Sequence, residues 1–243
     1  MRKALESFAA AELDEVFPHP AIREVAFEIR FAPRLRVSAE LWKLQDQLAD
    51  HYPAVGTEPL FQPNGAMLNI HVFQNSHAAR VIKVSHENFV IAFNKYSRFE
   101  DFKDEVIQKV SSFCTTFQIT SLTRIGLRYV NDIVLPRGET IQSLLRFVHP
   151  FTDFERVNID AVEQFVNEVR LRHKDHLVTI RGVLLAPLEG GRHIYVLDID
   201  CHSAIPQTSD NIPELLDEYH DTAQRFFLEH ITEEYKQVMR AKA

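Results

Sequence analysis

Three short segments place charged residues at alternate positions, the spacing that lines one face of a β-strand. Residues 24–31 set Glu24, Glu28 and Arg30 between Val25, Phe27, Ile29 and Phe31; residues 124–135 carry Arg124 and Arg128; residues 193–203 carry Asp198, Asp200 and His202. If these strands are neighbours, the groups form a mixed-charge surface opposite the core, with Asn131 as a further binding candidate. Such a face either recognises a partner or holds cross-strand ion pairs worth a few tenths of a kcal/mol each.

The same residues could do other chemistry. Asp198, Asp200 and His202 offer oxygen and imidazole donors of the kind that bind Mn, Mg or Zn. Adjacent same-face positions stand about 7 Å apart, so one ion would need a ligand from another strand, and no metal is assigned. Of the twelve histidines, His173 and His176 flank an expected hairpin tip, where solvent exposure is the ordinary outcome. His220 and His230 are nearly three helical turns apart and cannot share a ligand. The chain has no HExxH, no zinc-ribbon spacing and no GxSxG, and its seven glycines build neither a Walker loop nor a GxGxxG turn. Sequence order alone leaves a Ser–His–Asp triad open. With no catalytic residue and no cofactor indicated, binding is the chemistry that remains.

Composition narrows what is bound. A formal charge of −7 without any basic run argues against phosphate backbones and for basic partners. No stretch approaches the roughly 18–20 apolar residues of a membrane span, and the opening residues turn acidic where a signal peptide would become apolar. Cys114 and Cys201 lie far apart outside any paired-thiol pattern, which predicts two free, buried thiols in a reducing compartment. The expected location is the cytoplasm.

Periodicity supplies the elements that position these groups. The first strand is followed by a short helix opened by Ser38 and carrying Leu41, Trp42, Leu44 and Leu48. Strands follow at about 66–74, 79–86 and 88–96. Ser97 and Glu100 read as a capping box for a helix whose Phe99, Phe102, Val106, Val110, Phe113 and Phe117 recur every three or four residues. The order then repeats. A strand at 124–135 precedes a short helix at 140–148 with Ile141, Leu144, Leu145 and Val148 inward; residues 151–167 are ambiguous. Strands flank turns at Lys174-Asp175 and Gly190-Gly191. A last helix begins near Asp210 with Pro213 in its first turn, and Thr232 caps a separate final segment.

The expected organisation is an N-terminal segment (1–20) and two β-α-β-meander-α halves, 21–122 and 123–243, packed as one unit. The fold class is α+β, a curved antiparallel sheet with helices on one face, resembling the saddle of TATA-binding and helix-grip folds. Phe27, Ile29, Ile125, Leu127, Leu197 and Ile199 should face the helices.

Residues 21–31 (AIREVAFEIRF), 124–131 (RIGLRYVN), 197–200 (LDID) and the late Tyr219-His220 through Ile231-Thr232 together resemble an uncharacterised, sporadically distributed bacterial family across nearly the whole chain. That resemblance implies no catalytic residue. A patchy distribution implies horizontal transfer, as with toxin–antitoxin and antiphage-defence genes. The preferred expectation is therefore a non-enzymatic protein that docks a partner, one encoded by a neighbouring gene, through Glu28, Arg30, Arg124, Arg128, Asn131, Asp198, Asp200 and His202; a homo-oligomer is compatible with this. The alternatives are a nucleotide or small-anion sensor, with Arg30, Arg124 and Arg128 meeting the anion, and a metal-dependent hydrolase.

Overall fold

Each of the three charged segments is a strand, and the three lie side by side. The computed structural model describes residues 16–61, 65, 67–135, 141–150, 162, 164–185 and 193–241. Strand β1 (Ile22–Arg30) pairs antiparallel with β6 (Arg124–Val134), and β6 pairs antiparallel with β9 (Ile194–Ser203). Around this centre run β2 (Ala54–Phe61), β3 (Met67–Gln74), β4 (Arg80–Val84), β5 (Asn88–Phe93), β7 (Phe165–His173) and β8 (His176–Leu184). They form one antiparallel sheet in the order β2-β3-β4-β5-β1-β6-β9-β8-β7.

The strand order shows the repeat. In each half the first strand pairs with the last strand of its own meander, β1 with β5 and β6 with β9, and the halves join where β1 meets β6. The register across that seam puts Phe27 opposite Leu127, with Ala26 opposite Arg128 and Glu28 opposite Gly126. An offset of one hundred residues thus relates the two strands by a local two-fold axis at the Phe27–Leu127 pair. The sheet curves over one helical layer: α1 (Leu35–Ala39), α2 (Leu41–Leu48), α3 (Phe99–Phe117), α4 (Leu144–Phe147), α5 (Ile212–His230) and α6 (Glu233–Arg240).

Alternation decides which face the helices cover. Phe27, Ile29, Ile125, Leu127, Leu197 and Ile199 are all fully buried, as the pattern predicts, each side chain contributing roughly 2–3 kcal/mol of transfer free energy. They meet Phe102, Val106, Val110, Phe113 and Phe117 of α3 and Leu216, Tyr219, Ala223 and Phe226 of α5 in a single core. Rings interlock there: Phe113 lies 4.7 Å from Phe89 and 4.9 Å from Phe117, and Phe93 stands edge-on to Phe102. Cys114 and Cys201 are free and buried. Thr232 caps α6 by accepting from the Tyr235 backbone N–H, and Pro213 lies in the first turn of α5, both as expected.

Four local readings are corrected. Ser38 is not a helix cap but lies inside α1; the chain turns helical at Leu35 and breaks at Glu40. The capping box does not form, because Ser97 Oγ turns to the Asp101 carboxylate at 3.4 Å and the cap position belongs to Arg98. Leu145 points to solvent while Phe147 takes the inward place, since only one short turn of helix covers this stretch. Strand β2 is absent from the expected elements because, exposed along its whole length, it has no buried face to impose alternation; at the sheet edge proline and charge are tolerated. The Gly190-Gly191 turn and most of 151–163 fall outside the described residues.

Candidate functional site

Adjacency of β1, β6 and β9 gathers the charged candidates on the helix-free face. Cross-strand register aligns Ala26, Arg128, Asp200, Thr179 and Arg170 in one row, and Glu28, Gly126, His202, Leu177 and Arg172 in the next. Ala26, Glu28, Gly126, Arg128, Asp200 and Thr179 of these rows line a cavity of about 350 Å³, together with Arg30, Glu168, Arg181 and Asp198. Glu28, Arg30, Arg124, Arg128, Asp198 and Asp200 all line it. His202 adjoins Asp200, with Nδ1 3.5 Å from Oδ2.

The centre of this face is an ion-pair lattice. Arg124 donates to Glu28 Oε2 on β1 and to both Asp200 oxygens on β9, at 2.8 and 2.7 Å, so one guanidinium ties three strands together across the seam. Its side chain is only 18% exposed. Arg128 donates twice to Asp198 at 2.7 Å, a bidentate fork, while remaining 49% exposed. Arg30 donates to Glu28 at 2.9 Å. The Arg124 guanidinium lies flat over Gly126: a Cβ there would stand 2.3 Å from Arg124 Nη1. Space, rather than backbone conformation, calls for glycine at this position.

Electrostatics follow from this packing. Burial alone would raise the Asp200 carboxyl, but contact with His202 and the charge of Arg124 outweigh it and hold the group below the usual carboxylate range. The bond to Asp198 and nearby carboxylates raise Arg128, against the opposing effect of its burial. Both aspartates of the suggested metal triad are thus turned onto arginines, and among the described residues no cluster of three His, Cys, Asp or Glu is arranged around a metal.

Outside the lattice the face is freer. Among the described residues, the exposed Arg172 and Arg181 form no ion pair, and Arg170 meets the Thr179 hydroxyl at 3.4 Å. In a chain of net charge −7, the β7–β8 wing therefore carries three guanidiniums against the single carboxylate of Glu168 on this face. Strict alternation in VRLRH (169–173) signalled this wing in the sequence, but its weight shows only once β7 is seen to be the sheet edge.

Two candidates fall elsewhere. Asn131 lies on the helix-facing side of β6, buried, its amide donating to the Leu197 carbonyl at 3.1 Å; it is one residue out of phase with Arg124 and Arg128. His176 is not a solvated hairpin residue. It is 1% exposed because α5 lies across the hairpin end, bringing Tyr219 to 4.9 Å and Glu218 to 3.6 Å. Burial lowers both His173 and His176.

Among the described residues no helix is long and apolar enough to cross a membrane. Compared with family models and with curated proteins, the chain matches none.

Proposed function

We propose that this chain is a non-enzymatic protein-binding component that docks a partner on the helix-free face of its sheet. The observation that carries this reading is the β7–β8 wing, where among the described residues Arg170, Arg172 and Arg181 form no ion pair, and Arg181 lines the cavity between Glu168 and Asp198. Complementary charge across an interface selects the partner and speeds its capture, so the wing favours an acidic segment, against the basic partner that the net charge of the whole chain suggests. The sporadic family that the sequence resembles favours a toxin-like or defence effector from a neighbouring gene as that partner. Arg124, enclosed by Glu28 and Asp200, acts in this reading as the frame of the surface rather than a contact.

The test reverses the free charges and leaves the lattice alone. R170E/R181E is co-expressed with the neighbouring gene product, and its thermal unfolding and association are compared with wild type. Unfolding should shift by less than about 0.5 kcal/mol, as exposed charges do, while association weakens by at least about tenfold. Unchanged association removes the wing from the interface. The anion-sensor reading instead requires saturable binding of free phosphate that R181E abolishes.

A further inference from the structure

The helix-covered side of the seam holds a second cavity, of about 530 Å³, on a part of the molecule that none of the free sheet-face arginines reaches. Its volume is that of a small-molecule site. The floor comes from the start of β1 and from Tyr129 and Asn131 of β6; the walls come from residues 96–100, where α3 begins, and from the middle of α5.

Rings form the inner surface, and they are held in place. Tyr129 OH lies 2.8 Å from His220 Nδ1. Phe99 stacks on the His220 ring at 3.8 Å and 8°, and Tyr96 stands edge-on to Tyr129 at 5.9 Å. Phe227 and Met239 add apolar surface to the lining. The mouth has the opposite character. Glu100, Asp217 and Asp221 line it, with Arg98 as the one basic group among the lining residues. Arg98 is already held by Asp101 at 3.1 Å, and Asp217 by Lys103 at 2.6 Å. Among the described residues Glu100 and Asp221 form no ion pair, so acidic groups predominate at the mouth beside the rings.

The geometry points to this cavity as a binding site for a small organic cation with an apolar body. Aromatic rings of this kind attract a cationic head, the carboxylates of Glu100 and Asp221 set the sign of charge admitted, and the apolar lining takes the body. Burial also lowers His220, so it stands as a neutral ring at pH 7 rather than a competing charge, although Asp221, Glu100 and Asp217 pull the other way.

The test uses three probes of common shape: benzyltrimethylammonium, benzyl alcohol and benzylsulfonate. Each is titrated into the full chain by calorimetry and by ligand-observed NMR, to roughly 10 mM, the range in which an unoptimised probe would register. The expected result is saturable one-to-one binding of the cation, weaker binding of the alcohol and none of the sulfonate. E100Q/D221N should weaken the cation by about fivefold, from two exposed charges, without changing the alcohol. R170E/R181E should leave all three untouched, which keeps this test separate from that of the sheet face. Failure of the cation to saturate, equal binding of the sulfonate, or indifference to E100Q/D221N overturns the assignment.

Discussion

Removing Arg124 tests whether the seam lattice is structural. In R124A, Glu28 and Asp200 lose a shared partner while remaining mostly enclosed, at 18% and 26% exposure. Breaking a fully buried pair costs about 3–5 kcal/mol, and an exposed one under about 1 kcal/mol. Groups roughly four-fifths enclosed belong between these limits, at about 2–3 kcal/mol. Urea unfolding at pH 7 reads this as a lower midpoint with unchanged slope, and heating as a fall of roughly 5–10 °C for a chain of this length. Gly126 sharpens the test. In wild type, G126A drives a methyl into the guanidinium and levers it off its carboxylates, costing about 1–3 kcal/mol; in R124A the same methyl meets no guanidinium. The double-mutant cycle should therefore give a coupling of at least about 1 kcal/mol. The acid side has a definite sign. Asp200 is held low in the folded chain, so its contribution is present above the unfolded value near 4 and is lost as pH falls through the folded value. The gap between wild type and R124A should narrow on acidification. A loss below about 0.5 kcal/mol with an additive cycle would mean the lattice is solvated and idle, refuting its structural role.

Two further outcomes follow from buried titratable groups. Burial lowers His230 to about 4; the unfolded chain then takes up the proton first, so stability falls as pH drops from about 6.5 towards 4, by about 3 kcal/mol from this residue, and H230Q should flatten that part of the urea-midpoint profile. Burial pushes the Cys114 thiol up to about 11 and the Cys201 thiol higher still, so the native chain should resist iodoacetamide, whereas the unfolded chain takes two alkyl groups without reductant by intact-mass measurement; a recovered disulfide would overturn this.

Wherever one face of an element is dry, the sequence was readable. Alternation in EVAFEIRF and RIGLRY decided the buried side, and the three-to-four spacing of phenylalanines decided α3, because burial leaves a period that sterics cannot blur. Strand β2 is exposed along its whole length and so carries no such period. The charged candidates were legible as a face, yet their partners were not: that Arg124 meets two carboxylates while Arg181 forms no ion pair among the described residues depends on strand order, which alternation does not contain. The aromatic cavity was illegible for the same reason, since Tyr96 from a loop, Tyr129 from β6 and His220 from α5 are brought together from far apart in the chain. His176 was misread because a hairpin tip is exposed only if nothing later in the chain lies across it, and α5 does.

The hundred-residue offset across the seam also decides which halves can pair. It superposes Glu24 on Arg124 and Glu28 on Arg128, opposite charges at equivalent places, while Val25 and Ile125 or Phe27 and Leu127 stay apolar. Glu28 with Arg124, and Glu24 near Arg128, are thus the two symmetric copies of one diagonal contact. Two first halves joined through β1 would set Glu28 beside Glu24 twice over; two second halves joined through β6 would set Arg128 beside Arg124. Separated into 16–122 and 123–241, the halves would each lack a complementary mate except the other.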